Sequence, residues 1–119
     1  MSTNAYIQVE GSDVVLYKHW DGYASATLPW LLAFHANFEE KRGFSDPSYE
    51  TAQLVRSSVF QAKEYNLDDN PVLGWGLSVE HNIKYEGEVG QFVYVLHKDG
   101  SVSVNGHKYR PGDEIVFKD

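Results

Sequence analysis

The residues with chemistry to offer lie in a few short strings. His19 and Asp21 stand two apart in Tyr17-Lys18-His19-Trp20-Asp21-Gly22-Tyr23, where a β-strand has to end. At that spacing an aspartate oxygen can orient an imidazole N–H, or the two side chains can share a metal ion. A metal would need further ligands, for which Glu80, His81 and His97 are the candidates, and none of them sits at a recognised ligand spacing. The competing account has Asp21 accepting backbone N–H groups within its own turn while His19 packs beside Trp20. It asks less of the sequence, so no catalytic residue, metal or cofactor is assigned, and His19, Asp21 and His81 stand only as metal candidates.

Other pairs fare no better. Glu80-His81 suggests acid–base work, but neighbours on a strand point to opposite faces. Glu39-Glu40 is expected to solvate a helix end. Ser57-Ser58 and Ser101 lack the Gly-x-Ser-x-Gly elbow that presents a nucleophile. Gly74-Trp75-Gly76 has neither the Gly-Lys-Ser/Thr nor the following helix of a phosphate loop, so its glycines are expected to make room for Trp75 or to relieve a bulge. The chain has no cysteine, which removes disulfides, thiolate metal sites and thiol catalysis together.

Charge and aromatic content point instead to binding. The 17 carboxylates outnumber the 10 Lys and Arg, for a net charge of −7, and the cations look scattered along the chain. Direct contact with nucleic-acid phosphate is therefore not expected, whereas a protein partner with a basic surface is. Glu64, Asp68 and Asp69, with Glu86 and Glu88, are the carboxylates that could form such a patch. Tyr and Trp dominate binding hot spots, and Trp30 falls off the apolar stripe of its helix, so Trp30 and Tyr23 are the expected exposed anchors.

The elements that must carry these residues follow from periodicity. Residues 5–10 and 14–20 read as a hairpin around Gly11-Ser12-Asp13, although no single register puts Tyr6, Val9, Val15 and Tyr17 on one face. Thr27 is the expected cap of a first helix, with Pro29 in its first turn, Leu28, Leu31, Leu32, His35 and Phe38 facing inward, and Gly43 ending it. Asp46 and Pro47 open a second helix that runs to about Asn66, with Ala52, Val55, Val59 and Ala62 as its inward stripe. The period then changes to that of strands: 72–79, 91–97, 101–104 and 115–117, joined late in the chain by turns at Asp99-Gly100, Asn105-Gly106 and Pro111-Gly112. The expected fold is a single α+β domain over 1–119, an antiparallel sheet of N-terminal hairpin plus C-terminal meander with two helices packed on one face. No stretch is long and apolar enough for a membrane helix, and Met1 to Glu10 has neither the basic nor the apolar region of a signal peptide, so a cytoplasmic location is expected.

The string Tyr17-Lys18-His19-Trp20-Asp21-Gly22-Tyr23 resembles the H-W-D-G-Y-P segment of a family of small, largely uncharacterised phage and prophage proteins. Ala24 stands where that family has its proline. In the family the segment also follows an N-terminal hairpin and precedes a helix. The resemblance implies a mobile-element origin and a host bacterial cytosol. Joined to the acidity and the want of a catalytic set, it leads to the expectation of a non-enzymatic interaction protein that inhibits a host nucleic-acid-binding defence complex such as a CRISPR effector. The alternative is a small metal-dependent enzyme or ligand-binding domain centred on His19 and Asp21.

Overall fold

In the computed structural model, which describes residues 3–44, 46–65, 74–87 and 90–114, two helices lie on one face of a six-stranded sheet. The strands are β1 (Asn4–Val9), β2 (Val14–Lys18), β3 (Trp75–Val79), β4 (Gln91–Leu96), β5 (Val102–Val104) and β6 (His107–Tyr109). The helices are α1 (Ala24–Arg42) and α2 (Pro47–Tyr65). The α+β class and the N-terminal hairpin are as expected.

The strand order is β3-β2-β1-β4-β5-β6: β3, expected in the C-terminal meander, pairs instead with β2 of the hairpin, and the two sides of the sheet meet at a parallel β1/β4 pair. The sheet is therefore mixed, with antiparallel ladders on either side of that seam. Periodicity could not show the seam, because alternation fixes which residues share a face but not which strand lies alongside.

Pairing settles the hairpin register. Tyr6 opposes Tyr17 and Gln8 opposes Val15, so these four share one face while Ala5, Ile7, Val9 and Leu16 take the other. Those four pack beneath the helices with Tyr94, Leu96, Val102 and the α1 residues Leu28 and Leu31. Burial of this cluster is the main force holding helices to sheet. The opposite face is covered by the segment after β3, whose Ile83 packs on Val15 and Val93. Gln8 staples it there: its amide donates to the carbonyls of Ser12 and Glu80, both at 2.8 Å, and its carbonyl accepts the Ile83 N–H at 3.0 Å.

Several local expectations shift by a residue or more. Helix α1 begins at Ala24 with Tyr23 as its N-cap, three residues before Thr27, and Pro29 lies within it. The Thr27 hydroxyl does not cap but donates back to the Asp21 carbonyl at 3.2 Å. Gly43 ends the helix at φ 75°, its N–H bonded to Glu39. Asp46 does cap α2, accepting the Tyr49 N–H at 3.2 Å. The inward face of α2 holds Glu50, Thr51, Leu54 and Ser58; of the expected stripe Val55 packs partly buried against the core and Ala52 is exposed, while the side chains of Val59 and Ala62 lie outside the described residues. The stripe is rotated because two polar residues, Glu50 and Thr51, are buried with internal partners.

In the late hairpin, Asn105 and Gly106 both have positive φ, the type I′ geometry suited to a two-residue turn between twisted strands. The expected strand at 115–117 lies outside the described residues.

Candidate functional site

The Tyr17–Tyr23 string ties the end of the hairpin to β4 and to the start of α1. Asp21 adopts a left-handed conformation (φ 53°), and the chain then runs Gly22 so close to β1 that a Cβ there would sit 2.5 Å from the backbone of Asn4. The Gly22 N–H bonds to the Thr3 carbonyl at 2.8 Å, and its carbonyl accepts the Tyr94 hydroxyl at 2.6 Å. Gly74, at φ 96°, makes room for the ring of Trp20 rather than for Trp75. Tyr23 is half-buried at the helix start, where its carbonyl accepts the Ala26 and Thr27 N–H groups.

His19 and Asp21 do not converge. The Nδ1 of His19 is hydrogen-bonded to the Tyr17 hydroxyl at 2.6 Å, on the face away from the helices. Burial and the neighbouring Tyr6 raise the pKa of Tyr17. Asp21 instead acts electrostatically on Lys18, on the helix side. His81 pairs with Asp13 at 2.8 Å in an exposed position. Among the described residues no three His, Asp or Glu side chains are grouped to hold a metal ion.

Two buried polar centres escaped sequence reasoning. His35 and Glu50, at 1% and 2% exposure, join α1 to α2 through Nδ1 and Oε2 at 2.6 Å. The His35 Nε2 donates to the His97 carbonyl at 2.7 Å, tying both helices to the β4–β5 turn. Since Nε2 carries a hydrogen, one further proton lies between Nδ1 and the carboxyl group, and the pair is neutral as a whole. Phe44 packs on the imidazole with ring centres 4.4 Å apart. Sealed this way, the pair reaches no substrate. Lys18 is the second centre. It is 1% exposed, donates to the Thr27 hydroxyl at 3.3 Å and lies 5.9 Å from the Trp75 ring centre. Burial pushes its ammonium down to about 8, against the opposing pull of Asp21.

The surface with the shape of a binding site is a groove of about 680 Å³ between α1 and α2. The helices run antiparallel, as the contacts Trp30–Ser57, His35–Glu50 and Phe38–Tyr49 show. Trp30, Phe34 and Tyr49 supply its aromatic surface, with the buried Phe38 at its floor. Trp30 is half-buried rather than free: its indole N–H donates to the Ser57 hydroxyl at 2.6 Å and its ring meets Trp75 edge-on at 6.3 Å. Lys41, Arg42 and Arg56 border the groove, and no carboxylate lines it among the described residues. Three of the chain's ten Lys and Arg thus line one groove, although they look scattered in sequence. The Arg42 guanidinium stacks 3.8 Å from the centre of the Tyr49 ring and also approaches Asp46 at 3.5 Å. Among the described residues neither Lys41 nor Arg56 forms an ion pair.

Of the acidic residues expected to form a patch, one has a described side chain. Glu86 is exposed on the segment after β3, while the side chain of Glu64 and the residues Asp68, Asp69 and Glu88 lie outside the described residues. No helix among the described residues is long and apolar enough to cross a membrane. No protein-family model, no curated protein and no solved structure matches the chain.

Proposed function

We propose that this protein is a non-enzymatic recognition domain that binds an amphipathic, anionic ligand in the α1–α2 groove. The observation that carries the reading is the composition of that groove: four aromatic rings and three cations, of which Arg42 also approaches Asp46, with no lining carboxylate among the described residues, on a chain whose net charge is −7. A cavity of this size, lined by aromatic and polar side chains together, is a common form of a ligand site. Cations gathered against the sign of the whole molecule favour a negative group at that place. Tyr and Trp, which offer large area at little entropic cost, suit the same task.

The ligand chemistry differs from the basic partner suggested by net charge. The phage-like string Tyr17–Tyr23 contributes structure, through Gly22 against β1 and Tyr94, and supplies no group to the groove. A catalytic role finds no support in the groove, since the His35–Glu50 pair is sealed beneath it.

A titration of the isotopically labelled protein with phenylbutyrate, followed by amide NMR shifts, tests the reading. The expected result is a set of shifts centred on Ala33, Asn37 and Gln53, with smaller shifts for phenylbutylamine. Shifts that cluster outside α1 and α2, or none at millimolar ligand, would refute it.

A further inference from the structure

We infer that the natural occupant of the groove is an acidic amphipathic helix of a protein partner, an inference that rests on the groove being the recognition surface. Length is the first argument. The lining runs along α1 from Pro29 to Arg42, which is about 20 Å at a rise of ~1.5 Å per residue. A compact metabolite would leave most of that length empty, whereas a helix of about four turns spans it.

The polar groups argue for a helix over an extended peptide. A strand laid in the groove would bring a row of N–H and C=O groups that need partners. The lining supplies donors in Lys41, Arg42 and Arg56 but few acceptors for the N–H groups. The Ser57 hydroxyl already accepts from Trp30, and the Gln53 carbonyl already accepts from Arg56 at 3.4 Å. A helix satisfies its own backbone and presents only side chains, as in other helix-in-groove recognition.

Charge placement supplies the third argument. Lys41 and Arg42 stand at the end where α1 meets the loop to α2. Arg56 neighbours Ser57, whose partner Trp30 is near the start of α1, so the cations are separated by about 15 Å along the helix axis. Between them lie Phe34 and Phe38. The matching ligand carries apolar residues at i, i+3/i+4 and i+7, with carboxylates near both ends. Lys41 and Arg42 also complement the negative end of the α1 macrodipole, but that local effect does not account for Arg56, which lies inside α2.

The test uses fluorescence anisotropy with three labelled peptides of about 14 residues, capped at both ends. One has Leu and Phe on a helical stripe flanked by Glu, the second replaces every Glu by Lys, and the third carries a central proline in the acidic sequence. The acidic peptide is expected to bind at least about 10-fold more tightly than the basic one, the proline peptide to lose binding, and the double variant Lys41→Glu/Arg56→Glu to reverse the charge preference. Both substituted residues are exposed, so the variant should fold, which circular dichroism checks. Equal binding of acidic and basic peptides overturns the charge assignment, and undiminished binding of the proline peptide overturns the helix. If no peptide binds while phenylbutyrate still shifts the groove amides, this inference fails and the groove reading stands. If neither binds, both fail.

Discussion

Replacing Lys18 by Met should stabilise the protein, although Lys18 is among its most deeply buried side chains. The ammonium keeps a hydrogen bond to Thr27 and sits near Asp21 and Trp75, yet desolvation outweighs them and its pKa falls from 10.5 to about 8. At about 1.4 kcal/mol per unit, that drop means that keeping the group charged costs the folded state roughly 3 kcal/mol. Methionine retains the unbranched stem and removes the charge, and Thr27 keeps its bond to the Asp21 carbonyl. Some of the gain is lost with the amine's own hydrogen bond, worth about 1 kcal/mol, leaving an expected net stabilisation of about 2 kcal/mol at neutral pH.

The sign of the pH dependence follows from the same shift. Between the folded value near 8 and the unfolded value near 10.5, the unfolded chain binds more protons than the folded one, so stability from this group rises with pH across that window. Below pH 8 both states are protonated and the cost is constant. Urea unfolding of wild type and Lys18→Met at a series of pH values reads the effect. With m of about 1.5 kcal/mol/M, the variant's midpoint should lie about 1 M higher at neutral pH, and the difference should shrink toward or through zero at alkaline pH. A variant less stable than wild type at neutral pH, by an amount that does not change with pH, would refute the reasoning. It would show Lys18 to be a well-paired cation rather than a desolvated one.

The His35–Glu50 pair should behave in the opposite way. Glu50→Ala leaves a buried imidazole nitrogen without its partner and should cost about 3 kcal/mol, whereas Glu50→Gln keeps one hydrogen bond and should cost about 1 kcal/mol, both read by urea unfolding. Asp99, whose carboxylate accepts from the Ser101 hydroxyl and N–H, is held below the usual 3.8 by those bonds and by Lys108. Its contribution is therefore present above that value and lost as pH falls through the folded pKa, so the stability difference between wild type and Asp99→Asn should be flat from about pH 5 upward and shrink in acid.

The elements and the candidate site differed in how far the sequence revealed them. Gly43, Asp46 and Asn105-Gly106 could be read because each depends on one or two residues with special backbone behaviour, whereas Thr27, expected to cap α1, lies inside the helix and donates back to the Asp21 carbonyl. The parallel β1/β4 seam could not, since it is a pairing between residues about 87 positions apart, such as Asn4 and Gln91, that leaves no local mark. The buried Glu50 misdirects the periodicity of α2 for a related reason: its partner His35 lies on another helix, and without that partner an inward glutamate is implausible.

The groove combines both difficulties. Its aromatic residues, Trp30, Phe34, Phe38 and Tyr49, look like core residues or isolated anchors when read one at a time. Lys41 and Arg42 look like an ordinary helix end, and Arg56 like a solvated position on the next helix. Only the antiparallel packing set by Trp30–Ser57 and His35–Glu50 brings them to one surface, and that packing depends on the two polar contacts the sequence did not show. The buried pair therefore matters to recognition without touching a ligand: it fixes how α2 lies on α1, and with it the width of the groove. Weakening it should loosen ligand binding before it unfolds the sheet, whose strands are held by their own ladders. In the Glu50→Gln variant, the amide shifts induced by phenylbutyrate should shrink while those of β1 and β4 keep their wild-type positions; unchanged binding would separate the pair from the groove.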